Sequence, residues 1–152
     1  MRKIAVVAAG GTGGHLFPAQ ALAEALIARG WRIVLASDER VAGLAQDFPA
    51  ERRIGLSAAT YKPGDPVGMM RAGFAVLRGA LHARAAFREI QPSVVVGFGG
   101  YPSAPALVAA LLERRPTVIH EQNAVMGRTN RMLASHVKTV ACAFPTLKKA
   151  PA

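Results

Sequence analysis

The sequence lacks several features that would place it in a special class of protein. Only one of its 152 residues is a cysteine, Cys142, so no internal disulfide forms and a reducing compartment is indicated. No apolar run approaches the roughly 18 residues of a membrane-spanning helix. The first apolar run is also too short for a signal peptide. Because 51% of the residues are hydrophobic, we expect one cytoplasmic globular domain with its own core.

Acidic residues are scarce as well. Nine Asp and Glu stand against nineteen Lys and Arg, which gives a formal net charge of +10. This balance favours an anionic partner, such as a phosphorylated ligand or an anionic membrane surface, although solubility alone also explains it. Nucleic acid is not expected as a partner, because the few aromatic residues do not interleave with Lys and Arg and no basic cluster occurs.

Clusters of metal ligands are also missing. His82, His120 and His136 show no ligand spacing, and a single cysteine cannot form a cluster. We therefore expect no metal site and no cofactor.

Short apolar runs alternate with helical patterns along the chain. This alternation predicts an α/β fold, a Rossmann-like doubly wound parallel sheet of about six or seven strands with helices on both faces. The predicted strands are Lys3–Ala9, Trp31–Ala36, Arg53–Leu56, Ser93–Gly97, Thr117–His120 and Lys138–Ala143. The predicted helices are Pro18–Arg29, Arg40–Gln46, Val67–Ile90, Ser103–Glu113 and Val125–Ala134.

The loop after the first strand reads "GGTGGHLFP", Gly10–Pro18. Glycine amides and a helix start are suited to binding an oxyanion. The loop has no lysine, so it is not a Walker phosphate loop, and the third glycine of a dinucleotide fingerprint would fall at Leu16. His15 is either a capping or packing residue, or a base or cation beside a diphosphate.

Two further loops are expected at the same edge of the sheet. "GFGGYPSAP" follows the most apolar strand, and its three glycines exceed what a tight turn needs, which favours anion binding. "HEQNAVMGRTN" places Glu121, Gln122 and Asn123 directly after the next strand. A carboxylate there is either a base or a group that binds hydroxyls, an amide such as Asn123 suits sugar hydroxyls, and capping of the following helix is the alternative. Because ligands bind outside the carboxyl ends of parallel strands, the three loops predict one site.

The long predicted helix Val67–Ile90 carries two apolar stripes, although a helix covering a sheet needs only one. The first stripe comprises Met69, Val76, Ala80, Ala83 and Phe87. The second comprises Met70, Phe74, Leu77 and Leu81, flanked by Arg71 and Arg78. The second stripe is either further core or an exposed patch for a membrane surface.

The three loops, in this order and after successive strands, closely resemble those of the MurG family of bacterial glycosyltransferases, in glycosyltransferase family 28. The resemblance covers essentially the whole chain but only the amino-terminal half of the family. It implies one half of a GT-B enzyme, in which two Rossmann-like domains face a cleft. These enzymes transfer N-acetylglucosamine from UDP-N-acetylglucosamine to undecaprenyl-diphosphate-linked muramyl-pentapeptide, with inversion and without a metal.

The resemblance also implies roles for individual residues. His15 is the candidate base for the acceptor C4 hydroxyl, and Glu121 is a second acid–base candidate. Contacts to UDP-N-acetylglucosamine are expected from Thr12, Gly13, Gly14 and Asn123. The acceptor diphosphate is expected at Gly11, Gly99, Gly100, Tyr101 and Ser103. A patch on an anionic membrane, at the cytoplasmic face of the bacterial inner membrane, is expected from Met70, Arg71, Phe74, Leu77, Arg78 and Leu81.

The domain organisation follows from the same resemblance. We expect residues 1–145 to form the acceptor-binding domain and residues 146–152 to begin an interdomain linker, with the carboxyl-terminal sugar-nucleotide domain absent. The chain alone is then expected to transfer no sugar. Two other interpretations stay open: a stand-alone acceptor-binding subunit of a split glycosyltransferase, or a non-catalytic Rossmann nucleotide-binding module with Asp38 on the ribose.

Overall fold

The computed structural model describes residues 3–10, 12–38, 45–57, 59, 61–62 and 64–151. Its strands are β1 Ile4–Ala8, β2 Arg32–Ser37, β3 Arg52–Gly55, β4 Val94–Gly97, β5 Thr117–Glu121 and β6 Thr139–Cys142. Its α-helices are α1 Gly13–Ile27, α2 Pro66–Ile90, α3 Ser103–Leu112 and α4 Arg128–Leu133, and a 3-10 helix follows at Ala134–His136.

The six strands form one parallel sheet in the order β3-β2-β1-β4-β5-β6. Val6 in the central strand β1 lies opposite Val34 of β2 on one side and Val95 of β4 on the other. Strands β1 to β3 are added toward one edge of the sheet, and strands β4 to β6 are added toward the other edge. The order therefore reverses between β1 and β4, and doubly wound sheets bind ligands at such a switch point. The predicted fold class is confirmed, with six strands among the described residues.

The two faces of the sheet carry separate apolar cores because successive side chains of a strand point to opposite faces. On one face, Val6 and Val95 pack with residues of α2 and α3 such as Phe87 and Leu107. On the other face, Val7 and its neighbours pack with α1 and Phe98. Burial on both faces explains why the strands are apolar almost throughout.

Helix α2 begins and ends at clear local signals. The Asp65 carboxylate accepts a hydrogen bond from the Gly68 amide at 2.8 Å, and Pro66 occupies the first helical position. Gln91 ends the helix in a left-handed conformation. The helix packs closely on α3, because a Cβ built at Gly79 would lie 2.7 Å from the Ser57 carbonyl oxygen and 3.0 Å from Pro105 Cβ.

Most element boundaries match the sequence predictions, and every strand boundary lies within one residue of its prediction. The predicted start of the first helix at Pro18 is wrong, because the helix already begins at Gly13 and Pro18 is its sixth residue. The last predicted helix is shorter and continues as a 3-10 turn. The predicted helix Arg40–Gln46 falls mostly on residues outside the described part of the chain.

The two apolar stripes of α2 differ in how far they are buried. Ala80, Ala83 and Phe87 of the first stripe are fully buried, as predicted, although Met69 is exposed. The second stripe is an exposed patch and not core: Met70, Phe74, Leu77 and Leu81 are each more than half exposed. In the described part of the chain, no helix is both long and apolar enough to cross a bilayer.

The same substitution at two glycines of α2 is expected to have opposite effects. Gly79→Ala introduces a methyl group against the Ser57 carbonyl, so the free energy of unfolding should fall by about 1–3 kcal/mol. Gly73→Ala meets nothing within 4 Å and should raise the free energy of unfolding by up to about 1 kcal/mol through helix propensity. Urea unfolding of the 152-residue chain measures both, and equal effects would contradict the close packing of α2 on α3.

Candidate functional site

The candidate site lies at the carboxyl ends of β1, β4 and β5, beside the switch point of the sheet. The two glycine loops follow β1 and β4, which are hydrogen-bonded neighbours, so both loops begin at the same edge. The third loop follows β5, which pairs with β4. The structure therefore brings the three predicted loops together.

The first glycine loop is largely the start of helix α1. Thr12 is the residue before the helix, and its carbonyl oxygen accepts hydrogen bonds from the His15 and Leu16 amides at 3.1 Å each. The Thr12 side chain makes no capping bond and is exposed. Gly13 and Gly14 are the first two residues of a 15-residue helix, whose amino-terminal amides carry a partial positive charge. Gly11 lies outside the described residues.

Pro18 and Phe17 shape this helix start. Pro18 has no N–H, so the Gly14 carbonyl receives no hydrogen bond from the residue four positions later. The ring of Phe17 lies over Gly13, where an added Cβ would come within 2.8 Å of it. A larger residue at position 13 would displace this exposed ring.

The second glycine loop turns sharply through two left-handed residues. Gly99 and Gly100 have φ angles of +83° and +73°, a conformation that favours glycine. Ser103 is fully buried, and its hydroxyl donates to the Gly100 carbonyl at 2.9 Å. Among the described residues, the amides of Gly99, Gly100 and Tyr101 donate no backbone hydrogen bond. All three residues line the pocket described below.

The two glycine loops pack against each other through His15. A Cβ built at Gly100 would lie 3.2 Å from the Gly10 carbonyl oxygen and 3.3 Å from His15 Cδ2. A Cβ built at Gly99 would lie 3.4 Å from His15 Cε1. The imidazole thus lies directly against the backbone of the second loop, and glycines are required where it does so.

Gln122 fixes the orientation of the His15 ring. Its amide Nε2 donates to the Phe98 carbonyl at 3.0 Å and contacts His15 Nδ1, while its Oε1 lies 3.4 Å from His120 Nδ1. A backbone carbonyl only accepts, so the Gln122 nitrogen must face Phe98 and also His15. In this pattern His15 Nδ1 accepts, and the neutral ring carries its hydrogen on Nε2.

Glu121 is a buried carboxylate with four hydrogen bonds. Its Oε1 accepts from the Asn123 backbone amide at 3.0 Å and from Asn123 Nδ2 at 2.9 Å. Its Oε2 accepts from the Gly127 amide at 3.0 Å and from Asn130 Nδ2 at 2.8 Å. The residue is 1% exposed, so these bonds tie the loop after β5 to the start of α4 and leave little access for a substrate.

Two opposing effects act on the pKa of Glu121. Burial raises the pKa of this carboxyl, but the hydrogen bonds from Gly127, Asn130 and Asn123 together lower it more. The pKa therefore lies below its ordinary value, and the group is ionised at neutral pH.

A polar pocket of about 180 Å³ lies between the second glycine loop and the third loop. Its walls include His15, Gly99, Gly100, Tyr101, Asn123 and Arg128. Because the amide nitrogen of Asn123 faces the Glu121 carboxylate, the Asn123 carbonyl oxygen is left as an acceptor. The Asn130 Oδ1 atom is buried without a hydrogen-bond partner at the inner end of this pocket.

The membrane patch predicted on α2 is a separate surface. Phe74 is 70% exposed, and Arg71 and Arg78 flank the apolar residues and are exposed as well. Neither arginine forms an ion pair with another described residue. The surface thus combines apolar side chains with uncompensated positive charge.

Sequence reasoning missed Arg128 and Asn130, which line the pocket, and it did not find that Gln122 orients His15. Gln122 stood in the third loop, and its position directly after β5 was the available signal. Arg128 and Asn130 lie on α4, and no spacing in the sequence indicates that they face back toward β5. Residues 146–152, expected to begin a linker, include Lys148, which exchanges backbone hydrogen bonds of 2.9 Å with Ala124 and Met126.

No cluster of His, Cys, Asp or Glu in the described ranges could hold a metal ion. Besides the buried Glu121 carboxylate, the side chains at the pocket are two amides, an imidazole, an arginine, a tyrosine and a threonine. These groups recognise oxygen atoms of anions and hydroxyls.

Comparison with known proteins places this site in a family. A curated relative from Phenylobacterium zucineum is 93% identical over 99% of this chain, and one from Caulobacter vibrioides is 69% identical over 99%. Both are named UDP-N-acetylglucosamine–N-acetylmuramyl-(pentapeptide) pyrophosphoryl-undecaprenol N-acetylglucosamine transferase. The chain spans 41% and 42% of their lengths.

Solved structures agree with the sequence relatives. The crystal structure of Acinetobacter baumannii MurG matches the whole chain and 47% of its own chain, with 31% identity and a TM-score of 0.78. The glycosyltransferase SsfS6 from a Streptomyces species shares the fold at 18% identity, with a TM-score of 0.61 over 90% of this chain and 45% of its own. Residues 5–142 match the glycosyltransferase family 28 N-terminal domain. The chain therefore belongs to glycosyltransferase family 28.

Proposed function

We propose that this chain is the acceptor-binding part of an inverting N-acetylglucosaminyltransferase. The reaction transfers N-acetylglucosamine from UDP-N-acetylglucosamine to the C4 hydroxyl of undecaprenyl-diphospho-N-acetylmuramyl-pentapeptide, in peptidoglycan synthesis. The observation that carries this proposal is the polar pocket between the glycine loops at the switch point, in a chain 93% identical to a relative named for this activity. The carboxyl-terminal part of the enzyme supplies most of the sugar-nucleotide site.

The acceptor diphosphate binds at the second glycine loop. The amides of Gly99, Gly100 and Tyr101 can donate to phosphate oxygens, as backbone nests do. Arg128 lines the same pocket and adds a full positive charge. Ser103 holds the loop through its bond to the Gly100 carbonyl and does not itself reach the ligand, since it is fully buried.

The donor sugar nucleotide meets the first glycine loop and the third loop. Thr12, Gly13 and Gly14 present the amino-terminal end of α1, which favours negative charge. The outward carbonyl oxygen of Asn123 is placed to accept from a sugar hydroxyl. Gly11 belongs to the same loop, and its part in diphosphate binding remains a prediction from sequence.

His15 is better suited to donate a hydrogen bond than to take a proton. Its Nδ1 is engaged by Gln122, so the neutral ring presents Nε2–H. For His15 Nε2 to act as a base, Nδ1 would have to carry the hydrogen, and the side-chain amide of Gln122 would have to turn its oxygen toward it. That rotation would place the Gln122 oxygen against the Phe98 carbonyl oxygen. We therefore assign His15 to a diphosphate or sugar oxygen. Glu121 is fully bonded, which assigns the general base to the carboxyl-terminal part of the enzyme.

The exposed face of α2 docks on the membrane that holds the lipid acceptor. Met70, Phe74, Leu77 and Leu81 would enter the apolar boundary of the bilayer, and Arg71 and Arg78 would pair with anionic lipid headgroups. The net charge of +10 adds to this attraction. The protein is thereby peripheral to the cytoplasmic face of the inner membrane.

The role of His15 is tested by two substitutions in a fusion enzyme, in which this chain is joined to the carboxyl-terminal portion of the Phenylobacterium zucineum relative. His15→Ala removes both donor and base and should lower kcat/KM about 100-fold. His15→Gln keeps an N–H donor near the Nε2 position but has no basic nitrogen. It should therefore stay within about tenfold of the unsubstituted fusion enzyme.

The measurement is initial-rate transfer of radiolabelled N-acetylglucosamine to a soluble short-chain acceptor. Equal losses for His15→Ala and His15→Gln would show that the ring acts as the base. The 152-residue chain alone is the negative control and should transfer no sugar.

The role of Glu121 is tested by stability against pH. Glu121→Gln places an amide nitrogen against two of the four donors and should cost about 1–3 kcal/mol of unfolding free energy at pH 7. Because the folded pKa is lowered, the carboxylate's contribution is complete above the ordinary value of 4.5 and is lost as pH falls through the folded value. The difference between the two proteins should therefore shrink in acid.

Urea unfolding of both proteins between pH 7 and pH 3 provides the measurement. Glu51→Gln is the control, because Glu51 forms an exposed ion pair with Arg32 and should contribute about 1 kcal/mol or less. A stable Glu121→Gln protein whose fusion enzyme has lost turnover would instead make Glu121 a catalytic residue.

The membrane patch is tested by co-sedimentation with anionic vesicles. Phe74→Asp combined with Leu77→Asp should lower the vesicle-bound fraction at least about tenfold, because charge enters the apolar face. The control combines Ile27→Asp with Leu112→Asp, which are comparably exposed apolar residues at the ends of other helices. If the α2 variant binds vesicles as well as the control, α2 is not the anchor.

A further inference from the structure

An apolar groove lies between α2, α3 and α4 and has no role in the site described above. Its volume is about 310 Å³. Its lining includes Met69, Gly73 and Val76 from α2, Ala104 and Val108 from α3, and Met132 from α4. Met132 is 70% exposed, which is unusual for a methionine in a domain with two well-filled cores.

One end of this groove adjoins the polar pocket. Tyr101, Arg128 and Thr129 line both the pocket and the groove, so the two spaces share a wall. A ligand can therefore place a polar group among the glycine amides and an attached apolar group in the groove. Arg128 stands at the junction, where a diphosphate would meet its lipid.

The other end of the groove reaches the membrane patch. Gly73 lines the groove and also a shallow apolar depression formed with Met70, Phe74 and Leu77. The polar pocket, the groove and the patch thus lie next to one another along the surface. Polarity falls from the glycine loops to the exposed face of α2.

We propose that the groove binds the isoprenoid chain of the lipid-linked acceptor, next to its diphosphate. This inference rests on the proposed function, because the relatives are named for a pyrophosphoryl-undecaprenol substrate. The isoprenoid chain leaves the diphosphate at Arg128, crosses the groove and enters the bilayer at the patch. The groove thereby selects for lipid, while the glycine loops select for diphosphate.

The size of the groove limits how much lipid it holds. An apolar cavity of about 150 Å³ binds one benzene ring, which has six carbons. By that comparison, the groove volume of about 310 Å³ holds about twelve carbons, which is about two isoprene units. The first two units should therefore contribute to binding in the absence of any membrane, and later units should not.

The test uses the fusion enzyme with synthetic muramyl-pentapeptide diphosphates that carry one, two or three isoprene units. Assays contain no detergent or vesicles and stay below the concentration at which the acceptors aggregate. Lengthening the chain from one unit to two should lower KM at least about tenfold, because five more carbons are buried. Lengthening it from two units to three should change KM less than about threefold, because the third unit lies outside the groove.

Gly73→Leu fills the groove without disturbing the fold, since a Cβ at this position meets nothing within 4 Å. The ratio of KM for the one-unit acceptor to KM for the two-unit acceptor should fall from about ten toward one. Gly73→Ala adds only one methyl group and should give an intermediate ratio. Ala85→Leu places the same side chain at an exposed position of the same helix outside the groove, with three added carbons instead of four, and serves as the control.

Vesicle binding separates the groove from the patch. Gly73→Leu adds an apolar side chain beside the patch, so its vesicle-bound fraction should stay the same or rise while discrimination by chain length is lost. That combination supports the groove as a lipid subsite. If Gly73→Leu keeps the wild-type KM ratio, or raises KM equally for all three acceptors, the groove does not bind the lipid, although the proposed transferase function stands. If the unsubstituted fusion enzyme uses none of the acceptors, the proposed function fails and this inference fails with it.

Discussion

The buried carboxylate of Glu121 is the constraint on which the rest of the site depends. An ionised group at this depth is stable only because four N–H donors surround it, and these come from Asn123, Gly127 and Asn130. The bonds hold the loop after β5 against the start of α4. That position of α4 sets one wall of the polar pocket and one wall of the apolar groove. Without the carboxylate, neither space would keep its shape.

The contact between the two glycine loops is the second interaction that shapes the site. The switch point puts the ends of β1 and β4 side by side, and glycines let the His15 ring lie against the second loop. Gln122 then fixes which nitrogen of that ring faces the pocket. The site is thus built from backbone amides and neutral side chains whose directions are set by buried hydrogen bonds. Such a preorganised set of donors suits a reaction in which a diphosphate and a sugar must be held close together.

The sequence predicted the strands, their alternation with helices and the position of three loops at one edge of the sheet. Apolar runs and glycine clusters are local signals, so these features can be read along the chain. It failed at the start of α1, since two glycines and a proline each disfavour a helix and only the burial of Leu16 and Ala19 on the sheet outweighs them. It left the second stripe of α2 undecided, because periodicity does not show whether another layer covers it. The resemblance named Glu121 as a candidate for acid–base chemistry or acceptor contact, and this role stays a prediction. The hydrogen bonds from Gly127 and Asn130, six and nine residues later in the chain, exist only after folding and could not be read from the sequence.

Under the proposed function, these features form a surface that would take an acceptor from the membrane in steps: the patch on α2, the apolar groove and the polar pocket. The central claim is that the acceptor diphosphate lies between the two glycine loops. A crystal structure of the fusion enzyme with a prenyl-diphosphate acceptor analogue tests this claim most directly. We expect phosphate oxygens within hydrogen-bond distance of the Gly99 and Gly100 amides and of His15 Nε2. A diphosphate bound away from both loops would contradict it.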